Sequence, residues 1–97
     1  MIATRLLVAG LMVCTSSAFA AAPEPPPGAS SCSGCHPPSA GRHTGAPTLT
    51  GRNPADIVAA MQAFRSGQRA GTVMDRIAKG FSDAEVEAIA AWYADQR

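Results

Sequence analysis

Residues 30–41 read SSCSGCHPPSAG and contain the motif on which the fold depends. Cys32 and Cys35 lie three positions apart, and His36 follows the second cysteine at once. Two prolines come next and end any helix, because the residue before a proline is pushed out of the α region. The spacing places two thiols and one imidazole within about one helical turn.

Cys-x-x-Cys-His is the pattern of a covalent haem attachment site. Residues three apart share one face of a helical turn, so both thiols can form thioethers with the two vinyl groups of one porphyrin. His36, one step further round the turn, then faces the iron and ligates it through a ring nitrogen. The motif predicts one covalent haem c, attached through Cys32 and Cys35.

Two other kinds of site use similar residues. A disulfide oxidoreductase has its Cys-x-x-Cys after a strand of a βαβ unit, and this chain has neither the strand pattern nor the length. A structural zinc site would need four ligands, which Cys32, Cys35, His36 and His43 could supply. Adjacent residues such as Cys35 and His36, however, point about 100° apart on a helix. This geometry disfavours zinc, and the haem interpretation is preferred.

Residues 1–20 have the pattern of a cleaved secretory signal peptide. Arg5 provides the positive region, LLVAGLMV the apolar region, and AFA a cleavage site after Ala20, although a cut after Ala22 also fits. The apolar run is too short for a bilayer, which needs about 20 apolar residues. We therefore expect an exported periplasmic protein that does not span the membrane. Cys14 is expected to leave with the signal, because a large residue precedes it where a lipidated cysteine needs a small one.

The mature chain is expected to be small and formally neutral. Cleavage leaves about 77 residues, a size at which a hydrophobic core alone stabilises a fold poorly. Of the eight basic residues Arg5 leaves with the signal, and the remainder balance the seven acidic ones. A neutral chain gives no support for binding nucleic acid or an anionic membrane. A covalent haem would supply the large apolar body that such a core lacks.

Residues 29–97 are predicted to form one all-α domain after a proline-rich tether over residues 21–28. No stretch alternates at period two for long enough to form a strand. Helical patterns occur in four places: residues 29–36, Pro54 to about Ser66, residues 73–79, and a last helix that begins at Ser82.

Local signals mark the ends of the two longer helices. Asn53 is a candidate N-cap before a proline that suits the first helical position. Gly67 is the expected stop of the same helix. Ser82 and Glu85 have the spacing of a capping box at the start of the last helix.

Three segments, CSGCH, GAPTLTG and VMDRIAKGFSDAEVEAIAAWYA, occur in an order and at intervals that resemble class I c-type cytochromes. Within that class, IVAAMQAFRSGQRAGTVMDRIAKGFSDAEVEAIAAWY is most similar to the cytochrome subunits of flavocytochrome c sulfide dehydrogenase. The resemblance implies a small class I cytochrome c fold around one covalent haem. It also implies a one-electron carrier without catalytic residues of its own, with a flavoprotein dehydrogenase as donor and a further protein as downstream acceptor.

By the same resemblance His36 is the proximal iron ligand and Met74 the distal one. The carbonyl of Pro47 is implied to accept the Nδ1 hydrogen of His36 and to fix the ring; the alternative is that Pro47 only stiffens a loop. Met61 remains the competing methionine, although it lies on the apolar stripe of a regular helix, where methionine more often fills a core. Met74 instead follows a glycine-containing loop that can carry it across the haem face.

The chain departs from the class I pattern at its N-terminal side. PEPPPGASS cannot form the full helix that normally crosses the last one, so we expect a shortened N-terminal helix. The apolar stripe of Val86, Ile89 and Tyr93 would then have less to bury it, and exposed apolar surface often marks a partner site. Two alternatives to a dehydrogenase subunit stay open: a free periplasmic shuttle, and a small haem enzyme or gas binder with an open iron position.

Overall fold

The computed structural model of the chain describes residues 17, 18, 20–38 and 45–96. Within these ranges it contains helices and no strand, as an all-α class I cytochrome c fold requires. The helices are α1 (Ala29–Cys32), α2 (Pro54–Ser66), α3 (Met74–Ile77), a 3₁₀ helix over Ala78–Gly80, and α4 (Asp83–Asp95). None of the described helices has the length and apolar character needed to cross a membrane.

The two long helices begin and end where the capping residues predict. The Asn53 side chain accepts a hydrogen bond from the amide of Ala55, and Gly67 ends α2 at a φ of 80°. At α4, the Ser82 hydroxyl accepts from the Glu85 amide while the Glu85 carboxylate accepts from the Ser82 amide. Each contact satisfies a backbone group that the first or last turn of a helix leaves unpaired.

The hydrophobic core forms where α2 and α4 pack together and α1 joins them. Its central cluster consists of buried apolar residues from three helices: Ala29, Ile57, Ile89, Ala90 and Tyr93. Burying an aliphatic or aromatic side chain of this kind stabilises a fold by roughly 1.5–3 kcal/mol. The cluster is small, as expected for so short a chain.

The N-terminal helix is shorter than the two turns predicted for residues 29–36. α1 ends at Cys32, and the amides of Cys35 and His36 both donate to the Cys32 carbonyl oxygen, at 3.2 and 2.9 Å. In a regular α-helix each amide donates to its own carbonyl, four residues earlier. Two amides that share one carbonyl form a tighter turn instead.

The expectation that the α4 stripe is poorly covered is wrong. Val86, Ile89 and Tyr93 are only 3%, 6% and 5% exposed. Short as it is, α1 places the fully buried Ala29 in the same cluster as two of these side chains. Gly28, at a φ of 87°, lets the chain pass so close that a Cβ there would lie 2.6 Å from Cε1 of Phe81. A missing helix therefore gives no argument for a docking surface on α4.

Candidate haem-binding site

The two cysteines of the motif lie on α1 and on the turn that follows it. Cys32 is half-buried, and its Sγ is 3.7 Å from the carbonyl oxygen of Gly28, while Cys35 is exposed. No disulfide joins them. Burial raises the pKa of the Cys32 thiol, so this side chain stays uncharged at neutral pH.

The imidazole of His36 is fixed by the backbone of a distant loop. Its Nδ1 lies 2.6 Å from the carbonyl oxygen of Pro47, eleven residues along the chain. Because a carbonyl oxygen only accepts hydrogen bonds, Nδ1 must carry the hydrogen. In a neutral ring the lone pair then belongs to Nε2, which is the form a metal-binding histidine takes.

A cavity of about 500 Å³ lies between the motif, the loop at Pro47, α2 and the segment that ends in α3. Six side chains singled out from the sequence line it: Cys32, Cys35, His36, Pro47, Met61 and Met74. The other residues that line it are mainly apolar. Ligand and cofactor pockets are usually apolar in the same way and have volumes of roughly 300–1,000 Å³. The fold thus brings together thiols, an imidazole and a thioether that are up to 42 positions apart in the sequence.

Met61 and Met74 both line this cavity, Met61 from a long helix and Met74 from the start of a short one. Met61 is in the interior of α2, one turn from the cavity-lining Phe64. Met74 is the first residue of α3, directly after the loop over residues 67–73. A Cβ on Gly71 would lie 3.0 Å from Phe64 and 3.3 Å from Met74, so this loop packs closely on α2. Lining the cavity does not by itself choose between them.

Two proteins of known kind are similar to this chain. The cytochrome subunit of sulfide dehydrogenase from Chlorobaculum tepidum is 35% identical over 65 residues, which are 67% of this chain and 59% of that protein. Cytochrome c-554(548) from Halomonas halodenitrificans is 38% identical over 53 residues, 52% of this chain and 64% of that protein. Both relatives are named cytochromes, and this similarity supports a c-type cytochrome. No family model matches this chain, which spans 59% and 64% of the lengths of these relatives.

Haem c, the cofactor of c-type cytochromes, fits the chemistry of the residues that line the cavity. The cavity combines an apolar wall for a porphyrin, thiols for its vinyl groups, and nitrogen and sulfur donors for iron. Among residues 17, 18, 20–38 and 45–96, no three His, Cys, Asp or Glu side chains form a group that could hold a metal ion. His43, the fourth ligand of the zinc hypothesis, lies outside these residues.

Sequence reasoning missed the charged residues of this cavity. Arg52, Asp56 and Arg69 line it, and the guanidinium carbon of Arg69 is 4.8 Å from the centre of the Phe64 ring. A cation stacked on an aromatic face is held in place by the ring quadrupole. No spacing rule identifies a loop arginine of this kind, because most such residues are simply solvated.

Proposed function

We propose that the chain is a monohaem electron carrier in which Cys32 and Cys35 hold the haem and His36 and Met74 bind its iron. One observation carries the proposal: these four side chains line a single cavity, although they come from two separate parts of the chain. When bound, the haem supplies an iron that gains or loses one electron at a time.

The proposed role of the His36 turn is to hold the imidazole in one orientation. The hydrogen bond to Pro47 fixes the tautomer, so Nε2 needs no proton loss before it binds a metal. The same bond prevents rotation of the ring. An imidazole that does not reorient keeps the iron environment similar in both oxidation states, which favours fast electron exchange.

Met74 is proposed as the second ligand because of the backbone that carries it. Met61 belongs to a 13-residue helix whose side chains at helical spacing form a wall of the cavity. Met74 begins a four-residue helix after a loop, so its position can adjust to an iron–sulfur bond without bending a long helix. A protein thioether at this position excludes substrates from the iron, which argues against a haem enzyme or a gas binder.

Arg52 and Arg69 are proposed to face the two carboxylates of the haem. Both line the cavity, and they are opposite in sign to propionate groups. A positive charge beside a propionate keeps that group ionised at lower pH. Without the charge, in Arg69→Gln, the propionate should titrate at higher pH, and the pH dependence of the reduction potential should move to higher pH with it.

The proposed partner is a flavoprotein dehydrogenase, such as a sulfide dehydrogenase, with a downstream protein as electron acceptor. This finer assignment is supported by the name of the C. tepidum relative and by the resemblance of the segment from α2 to α4. The name of the second relative mentions no dehydrogenase, which keeps a free shuttle as the alternative. The signal-peptide pattern of residues 1–20 supports a periplasmic location for either role.

Mass spectrometry and paired methionine variants test the haem assignment. The mature protein should carry one haem that survives denaturation, and Cys32→Ala with Cys35→Ala should abolish this attachment. Met74→Ala should remove the methionine–iron charge-transfer band and let carbon monoxide bind the ferrous form, while Met61→Ala should keep the band. The reverse pattern would show that Met61 is the ligand.

Co-purification tests the partner. The tagged holo-protein, produced in its native host, should retain a flavin-containing subunit and accept electrons when the substrate of that subunit is added. A protein that elutes alone and exchanges electrons equally well with unrelated redox proteins would support the free shuttle instead.

A further inference from the structure

Arg65 makes three contacts that leave its own helix and reach the segment after α3. Its Nη2 donates to the carbonyl oxygen of Phe81 at 2.7 Å, and its Nε to that of Ala78 at 3.4 Å. Its Nη1 forms an ion pair with the Asp83 carboxylate. Arg65 is in the last turn of α2 and is not among the residues that line the cavity.

The acceptors of Arg65 are linked by backbone hydrogen bonds to Met74. The Ala78 amide donates to the Met74 carbonyl, and the Phe81 amide donates to the Ala78 carbonyl at 3.4 Å. Ala78 itself is fully buried. A guanidinium that binds the Ala78 and Phe81 carbonyls therefore anchors the C-terminal side of the segment that Met74 begins.

The polar contacts of Arg65 matter because few large apolar side chains of this segment pack on α2. A helix of four residues is not stable alone, because the free-energy cost of nucleating a helix exceeds the contribution of one turn of hydrogen bonds. Val73 and Ile77 line the cavity and are 52% and 42% exposed, so they face the proposed haem site. The small Ala78 is the buried apolar residue of the segment, and the carbonyl contacts of Arg65 lie beside it.

We propose that Arg65 is a positioning residue for Met74, which keeps the methionine at the cavity by holding the segment Met74–Phe81 to the end of α2. The inference rests on the proposed function, in which Met74 binds the iron. The carbonyl contacts carry the effect and the ion pair adds little, because Asp83 is 67% exposed and a solvent-screened pair contributes little.

The test measures how often the methionine leaves the iron. Imidazole is added to the ferric holo-protein, and the binding rate reports opening of the methionine bond. Arg65→Met should bind imidazole about tenfold faster or more, a factor that equals about 1.4 kcal/mol and is modest for hydrogen bonds from a charged donor. Arg65→Lys should give an intermediate rate, because an ammonium cannot form the fork that reaches two carbonyls.

Two matched variants separate positioning from general stability. Asp83→Asn removes the ion pair and leaves the Arg65 carbonyl contacts, so its imidazole rate should stay within about threefold of wild type. Asn53→Ala removes the N-cap of α2, at the opposite end of that helix from Arg65, and should leave the rate unchanged while it lowers unfolding stability. Hydrogen exchange at the amides of Ile77 and Ala78 should accelerate in Arg65→Met and not in Asn53→Ala.

Three results would overturn the inference. In the first, Arg65→Met binds imidazole at the wild-type rate, and Met74→Ala lacks the charge-transfer band. Arg65 then has no positioning role, and Met74 remains the assigned ligand. Equal acceleration in Arg65→Met and Asn53→Ala would show a general stability effect. Retention of the charge-transfer band in Met74→Ala would overturn the ligand assignment itself, and with it the role of Arg65.

Discussion

Tyr93→Phe tests the one buried side-chain hydrogen bond that joins the two ends of the described domain. The Tyr93 hydroxyl donates to the Ala29 carbonyl oxygen at 2.7 Å, across 64 positions of sequence. Tyr93 is 5% exposed and Ala29 is fully buried. Because α1 has only four residues and also bears Cys32, this bond helps to hold the haem-attachment motif against α4.

The size of the effect follows from burial. The variant removes a donor and leaves the Ala29 carbonyl oxygen in a place that water does not reach. A buried acceptor that loses its donor costs about 1–3 kcal/mol. For a domain of this length each kcal/mol at the midpoint shifts the melting temperature by roughly 4–8 °C.

A pH series adds a second signature. Burial raises the pKa of Tyr93 above its ordinary value of about 10. A raised pKa means that this stabilisation is complete below the pKa of the unfolded chain and is lost as pH rises through the folded value. The difference in unfolding free energy between wild type and Tyr93→Phe should therefore shrink above about pH 10.

The assay is thermal and guanidinium unfolding of the holo-protein, followed by the helical circular dichroism signal. Ser31→Ala is the matched control, because it removes an exposed hydrogen bond to the Gly28 carbonyl from the same helix and should cost less than about 0.5 kcal/mol. If Tyr93→Phe unfolds at wild-type denaturant concentrations at neutral pH, the bond does not stabilise the fold and the reasoning is refuted.

Two substitutions at helix N-caps give further predictions. Gly28→Ala should destabilise the fold by about 1–2 kcal/mol because the backbone there is left-handed, and by more because the new methyl group would contact Phe81. Gly80→Ala is the control, because a Cβ there meets no atom within 4 Å and should not destabilise the fold. Equal melting temperatures of the two variants would contradict this prediction. Ser82→Ala should cost about 1 kcal/mol of unfolding free energy through the lost cap of α4. The Ser82 amide, and to a smaller extent its hydroxyl, lower the pKa of Glu85, so their contribution is present above about pH 4.3 and is lost on acidification. Because Ser82→Ala keeps the amide, both proteins should lose stability in acid, and wild type should lose slightly more.

Helix ends were predictable because their causes are local. An N-cap side chain needs only the next two or three amides, so Asn53 and the capping box of Ser82 and Glu85 can be read without knowing what the helix packs against. Gly67 ends α2 for an equally local reason, a positive φ that other residues adopt at a cost. The haem motif is also local, with its three reactive side chains within five residues.

Burial and the support of the site were not predictable, because they depend on residues far apart in sequence. The buried α4 stripe is covered through Ala29, which composition alone placed beside a proline-rich tether. The contacts of Arg65 reach residues 13 to 18 positions away, beyond any helical or turn spacing. Nor does any pattern show that Met61 and Met74 share one cavity.

α2 accounts for both parts of the candidate site. Ile57, Met61 and Phe64, which recur at helical spacing, form a wall of the cavity, and Arg65 lies one residue further round and binds the segment after Met74. A rigid helix thus lines the haem cavity on one face and supports the proposed ligand from the next. A site held from a long helix changes little in geometry when the charge on its metal changes. In the proposed electron carrier, a ligand segment bound to the end of a 13-residue helix would keep the surroundings of the iron similar in both oxidation states.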